Sequence, residues 1–234
     1  MIVPPQSACR RALLLAGAAW MSGCAVRPSM VADAPGGWHD VPLPGKAPTR
    51  YRTVRKDGRL AVAAHADGSA SMWRRRVDVP SDRLGDVAFS WRVDELIDGA
   101  SVAHAEREDA SARILFGFGG EVSRLPARTR MMFELAQALT GEAPPFATLM
   151  YVWERSAPEG SVIVNPRTDR VRKLVLDSGA AQLGRWREHR RSLVRDFRLA
   201  FGENPGPLRS IALMTDADNT RSVARAWYGP VQLL

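Results

Sequence analysis

The stretch Val87-Ala88-Phe89-Ser90-Trp91-Arg92-Val93 decides the fold class. Val87, Phe89, Trp91 and Val93 fall on one face and Ala88, Ser90 and Arg92 on the other, the two-residue repeat of a half-buried β-strand. Outward from this strand the same alternation recurs. Leu60, Val62 and Ala64 share a face after an Asp57-Gly58 turn; so do Ile114, Phe116 and Phe118, and Leu149, Tyr151 and Trp153. Residues 171–176, 211–215 and 228–234 read as further strands. Two stretches change period. Met131, Met132, Leu135 and Leu139 follow helical spacing over 127–139, ended by Gly141, Pro144 and Pro145. Leu193, Val194, Phe197 and Phe201 line one side of a second helix over about 186–201, with Gly202 as its cap. Many short strands with about two inserted helices predict a mostly β fold, an antiparallel β-sandwich of jelly-roll type.

The 234 residues suffice for one such sandwich. A hydrophobic content of 45% against 25% charged residues gives a core to bury and argues against disorder. The formal charge is +8, but the arginines that dominate it are spread along the chain, with no basic stripe interleaved with aromatics. That argues against a nucleic-acid partner.

At the start of the chain, Arg10 and Arg11 precede an apolar run, Ala12 to Met21, and then Ser22-Gly23-Cys24. Charged, apolar, small is the order of an export signal, and the run is about half the ~20 residues that a spanning helix needs. Met21-Ser22-Gly23-Cys24 also resembles the lipobox of bacterial lipoproteins, which makes Cys24 the expected lipidation site and a membrane the expected partner through that anchor. Ala25 rather than Asp after the cysteine resembles sorting to the periplasmic face of the outer membrane. Cleavage after Ala25 by an ordinary signal pathway is the alternative, leaving a periplasmic or secreted protein. Cys9 leaves with the signal in either case, so no disulfide or thiolate metal site is expected. Residues 1–23 are thus expected as signal peptide. Residues 24–48, with Pro28, Pro35, Pro42, Pro44, Pro48, Gly36, Gly37 and Gly45, read as a tether, and 49–234 as a single sandwich domain.

Several landmarks lie along this domain: Trp91-Arg92-Val93, Glu106-Arg107-Glu108-Asp109-Ala110 leading to Arg113, and Tyr151-Val152-Trp153. Asp196-Phe197-Arg198 with Phe201-Gly202-Glu203 follows, then Thr215-Asp216-Ala217-Asp218-Asn219-Thr220 and Tyr228. Together they resemble the bacterial domain of unknown function 3047 family over roughly residues 50–234. The resemblance implies an exported β-sandwich, similar in outline to jelly-roll carbohydrate-binding modules, with no established activity to carry over. The family commonly shows a second Asp where this chain has Glu108.

Two polar clusters stand out. Asp216-Ala217-Asp218-Asn219-Thr220 reads as an Asx-rich tight turn or as a calcium loop with Asp216 and Asp218 as ligands. The EF-hand pattern fails, because Arg221 stands where its turn glycine belongs and Trp227 where its bidentate Glu belongs. Glu106, Glu108 and Asp109 with Arg113 read as a structural ion pair, or as carboxylates facing Asp216 or Asp218 across a cleft, the arrangement of glycoside hydrolysis. Trp91 and Trp153 alternate with apolar residues and belong to the core. Trp73, beside Arg74 to Arg76, is a candidate for stacking on a sugar ring, and Trp186 and Trp227 are also freer of the core pattern. Nucleophile-elbow, zinc-protease, phosphate-loop and dinucleotide signatures are missing from the sequence.

The expectation is a non-catalytic envelope lipoprotein whose sandwich binds a saccharide or another envelope component. Its ligand residues would be Glu108, Asp109, Arg113, Asp216, Asp218, Asn219, Thr220 and Trp73, with no cofactor beyond a structural calcium at Asp216 and Asp218. A glycan hydrolase and a structural lipoprotein with protein partners are the alternatives.

Overall fold

The computed structural model describes Met1 and residues 37–234, so the expected signal segment, Cys24 and most of the expected tether lie outside the described residues. The chain runs β1 (His39–Pro42), β2 (Arg50–Lys56), β3 (Arg59–Asp67), β4 (Ala70–Val79), β5 (Asp86–Val93) and β6 (Ala110–Phe118). It continues through α1 (Ala127–Thr140), β7 (Ala147–Glu154), β8 (Val162–Val164), β9 (Val171–Ser178), β10 (Arg187–Ser192) and α2 (Leu193–Phe201), then β11 (Leu208–Asp216), β12 (Val223–Tyr228) and β13 (Gln232–Leu233). Seven strands pair in the order β1-β4-β11-β6-β7-β9-β8. A six-stranded sheet has the order β10-β5-β12-β3-β2, with β13 against β5. Pairing is antiparallel apart from β7 with β9. The fold is the mostly β sandwich with two α-helices that the alternation predicts.

The inward residues of β5 close this sandwich. Val87, Phe89, Trp91 and Val93 are buried, Phe89 stacks on Tyr151 with 5.7 Å between centroids, and Trp91 lies 6.4 Å from Trp153. The inner faces of β5 and β7 therefore meet across the two sheets, and burial of these large rings supplies much of the driving force. Phe197 of α2 packs its ring 4.7 Å from that of Phe118 and caps one end of the core. The β2–β3 hairpin turns on Asp57 and Gly58, both at positive φ (51° and 77°), the mirror-image turn whose twist suits two paired strands.

The structure departs from the sequence reading in three places. Residues 186–192 were expected as helix but form β10 from Arg187, and the helix starts at Leu193. The period-two signal is hidden there because the residues pointing inward are polar: Arg187 and His189 bond Asp177, and Arg191 bonds Asp196. The C-terminal strand expected over 228–234 is two pieces, since β12 ends at Tyr228 and Gly229-Pro230 separates it from β13. Proline has no N–H to extend a ladder. Within the expected tether, His39–Pro42 is a strand paired with β4, and Trp38 packs against the core. The helix expected over 127–139 is present as α1, and its Met131, Met132, Leu135 and Leu139 are 62%, 52%, 54% and 68% exposed.

Candidate functional site

The two polar clusters of the sequence come together where β11 ends beside the start of β6. Asp216 accepts from Arg113 Nη2 at 2.8 Å and from the backbone N–H of Ala110 at 3.1 Å. Glu108 accepts from Lys173 Nζ at 2.7 Å, Asn165 Nδ2 at 2.8 Å and Arg167 Nη1 at 3.1 Å, while its carbonyl accepts from Arg113. Asp109 holds the following turn: one oxygen accepts from the N–H and Nδ2 of Asn219, the other from the N–H and Oγ1 of Thr220, at 2.6–3.2 Å. Asp218 pairs with Lys46. Burial lifts the Asp216 carboxyl to about 7 against the pull of Arg113, and burial with the nearby Arg113 charge lowers Lys173 to about 8.

Seven of the sequence candidates are thus neighbours, and their polar atoms are largely taken up by one another and by other residues of the chain. Glu108, Asp109, Arg113 and Asp216 are buried, and the space beside Asp109 and Ala110 is about 10 Å³, room for at most one water. Glu108 and Asp216 converge on Arg113 instead of facing each other across a cleft. Oxygens of Asp109, Asp216 and Asp218 lie within 4.8 Å of one another, close enough for a cation. Each already accepts from donors of the chain, and the N–H groups aimed at Asp109 would repel a metal there. The arrangement fits the Asx-turn reading. Trp73 is likewise largely interior: it is 5% exposed, lies 6.0 Å from the ring of Tyr51, and borders a cleft of about 230 Å³ that Trp38 and Arg75 also line.

The open polar surface lies on the outer face of the six-stranded sheet. In β12, Ala224, Ala226 and Tyr228 point inward, so Trp227 points out, level with Ala63 of β3 and Arg92 of β5. Lys56 Nζ sits 4.1 Å from the centroid of its ring. A chain of contacts leads on to a second tryptophan: Lys56 to Asp94, Asp94 to Arg92 at 2.6 Å, Arg92 to Asp57 at 2.6 Å, and Trp186 Nε1 to Asp57 at 3.0 Å. Arg59 lies 5.5 Å from the Trp186 ring and pairs with Glu188.

Trp186, Arg59 and Glu188 wall a cleft of about 350 Å³ floored by Ala88, Ser90 and Gly229. The floor is low for a reason. A Cβ on Gly229 would stand 2.2 Å from Ser90 Oγ, so any larger residue there would have to displace that hydroxyl. Beneath the floor, His189 turns its ring inward and bonds Asp177, which receives Trp91 Nε1 and Arg187 as well. Burial raises the Asp177 carboxyl, but these three donors outweigh it and hold it below the usual carboxylate range. The cleft therefore has an aromatic wall, donors and acceptors on its rim, and a rigid base, within the size range of small-ligand sites.

Sequence reasoning singled out Trp186 and Trp227 but missed Arg59, Glu188, Arg92 and Asp57. The phase of β12 was the available signal, since Trp227 falls between two inward residues. A family profile described as "Protein of unknown function (DUF3047)" matches residues 36–232. The chain belongs to the DUF3047 family. Its outer cleft and buried acid cluster both lie within the matched span. A search of curated proteins finds no match for this DUF3047 chain. Among solved structures, it is similar to the family 11 carbohydrate-binding module of the cellulosomal cellulase Lic26A-Cel5E of Clostridium thermocellum. The two are 10% identical over 84% of this chain and 86% of that one, with a TM-score of 0.41. It is also similar to the xyloglucanase domain of NopAA, a type three effector from Sinorhizobium fredii, solved with cellobiose. That pair is 9% identical over 84% of this chain and 92% of that one, with a TM-score of 0.44.

Proposed function

We propose that this DUF3047 protein is an exported, lipid-anchored envelope protein whose sandwich binds a saccharide in the outer cleft of the six-stranded sheet. One observation carries the binding part. Two outward tryptophans, Trp186 and Trp227, are held in place by one continuous polar network on the outer face of the six-stranded sheet. Ordered indoles give flat apolar faces to the C–H side of a sugar ring, and Arg59, Glu188 and Ser90 supply donors and acceptors for its hydroxyls. The binding residues move from the acid cluster to this face, and the carboxylates expected there serve the fold.

A glycan array of neutral and acidic envelope oligosaccharides tests the reading. Saturable binding is expected, weakened about tenfold or more in Trp186→Ala and in Trp227→Ala, the scale of losing a central aromatic anchor. Binding that ignores both substitutions, or no binding across the panel, overturns it.

Export and anchoring are supported by the apolar run ending at Met21 and by Ser22-Gly23-Cys24. Among the described residues no helix is long and apolar enough to cross a membrane. Metabolic labelling with a fatty acid is expected to mark the wild-type chain and not Cys24→Ser, with the variant released from the membrane fraction. Equal membrane retention without label would defeat the lipidation reading.

A further inference from the structure

The helix α1 carries four large apolar side chains that the fold leaves outside. At about 100° per residue, Met131, Leu135, Leu139 and Met132 fall within an arc of about 100°, an apolar stripe of the width that globular helices bury. Here the stripe is more than half exposed at every position, while Thr129, Phe133 and Ala136 on a neighbouring arc are half-buried. The helix is also held in place. Arg130 donates to the carbonyls of Ser123 and Leu125 at its start, Gly141 closes its end in the left-handed conformation, and Glu142 binds Arg74 and Arg76. A pinned helix with its apolar stripe outward is built to meet something.

Two observations select the occupant. The unpaired charge around the stripe is net positive: Arg128 lies on the stripe one turn before Met132 and Arg124 precedes the helix, both exposed and without an ion pair among the described residues, against the one likewise unpaired Glu134 on the helix. The described chain also begins on this side of the sandwich. A cleft of about 450 Å³ is lined by Val41 and Pro42 of β1 on one side and by Ala136 and Leu139 of α1 on the other. From Gly37 back to Cys24 is a reach of about 45 Å at most in extended chain. A membrane holding Cys24 is therefore within reach of α1.

We infer that α1 is the surface by which the folded part lies on an anionic lipid bilayer, with Met131, Met132, Leu135 and Leu139 entering the interface and Arg124 and Arg128 meeting lipid phosphates. Such a helix adds electrostatic attraction to apolar burial and lies in the plane of the membrane. The inference uses the anchored reading for proximity alone.

The test uses the full chain with Cys9→Ser and Cys24→Ser, so that its outcome does not depend on lipidation or on the outer cleft. Single cysteines at Leu135, Leu139 and, as a control on the polar side of the helix, Gln137 carry an environment-sensitive fluorophore. Each is mixed with phosphatidylethanolamine–phosphatidylglycerol vesicles and recovered by flotation. Blue-shifted emission and about twofold quenching by nitroxide acyl chains are expected at 135 and 139 but not at 137, with the signal reduced by Arg128→Ala and on phosphatidylcholine vesicles. Three sinks for the idea are equal emission at all positions on floated vesicles, failure to float, and a blue shift that grows with protein concentration without lipid. The last would mean that a second copy covers the stripe.

Discussion

Asp216 and Lys173 are buried ionisable groups linked through Arg113 and Glu108, and burial pushes the two in opposite directions. Asp216 rises from 3.8 to about 7, so the fold holds its proton more tightly than the unfolded chain does. Its contribution to stability is full below pH 4 and is lost as pH climbs through 7, a difference of up to about 4 kcal/mol. Lys173 falls from 10.5 to about 8, so its contribution rises as pH goes from 8 towards 10.5. Urea unfolding is expected to show a minimum of this cluster's contribution near neutral pH. In Asp216→Asn the slope between pH 4 and 7 should flatten; an unchanged slope would assign it to other groups. Asp216, Glu108 and Arg113 were legible in the sequence as members of two polar clusters, whereas Lys173, one charged residue within a strand, carried no such signal. Whether they faced solvent or each other was not legible, since that depends on which strands become neighbours.

Among the strands, β6 shows how a single small residue sets the packing of a neighbouring loop. A Cβ on Gly117 would stand 2.4 Å from Ser210 Oγ and 2.8 Å from Pro145 Cγ, so the segment after α1 closes directly onto the strand. Gly58 in the β2–β3 turn is the opposite case: nothing lies within 4 Å of its Cβ position, and only its positive φ resists substitution. Gly117→Ala is expected to cost about 2–3 kcal/mol by overpacking, against about 1 kcal/mol for Gly58→Ala by backbone strain. Denaturant midpoints of the two variants check the order, and a Gly58 cost equal to or above that of Gly117 would contradict it. Alternation found the elements wherever inward residues were apolar, as in β5, β6 and β7. It failed in β10, where Arg187, His189 and Arg191 point inward towards Asp177 and Asp196. A polar residue whose partner lies elsewhere in the chain reads as a solvent-facing one.

For the molecule as a whole, the acid cluster is a clasp between the end of β11, the start of β6 and the Asn219–Thr220 turn. Because its carboxylates are already satisfied by donors of the chain, calcium and a chelator are expected to leave the thermal midpoint unchanged. A midpoint that rises with calcium and falls in Asp218→Ala would restore the metal reading. The sequence by itself determined the β-sandwich class, both helical segments in outline and the family, because period and turn chemistry are local properties written in consecutive residues. Only the tertiary structure decided what each candidate does. It buried Trp73 and the acid cluster, turned Trp186 and Trp227 outward onto one face, and left the stripe of α1 uncovered. The physical reason is that burial belongs to pairs of elements: an alternating strand says that one face will be covered, and only the order of strands in two sheets says by what.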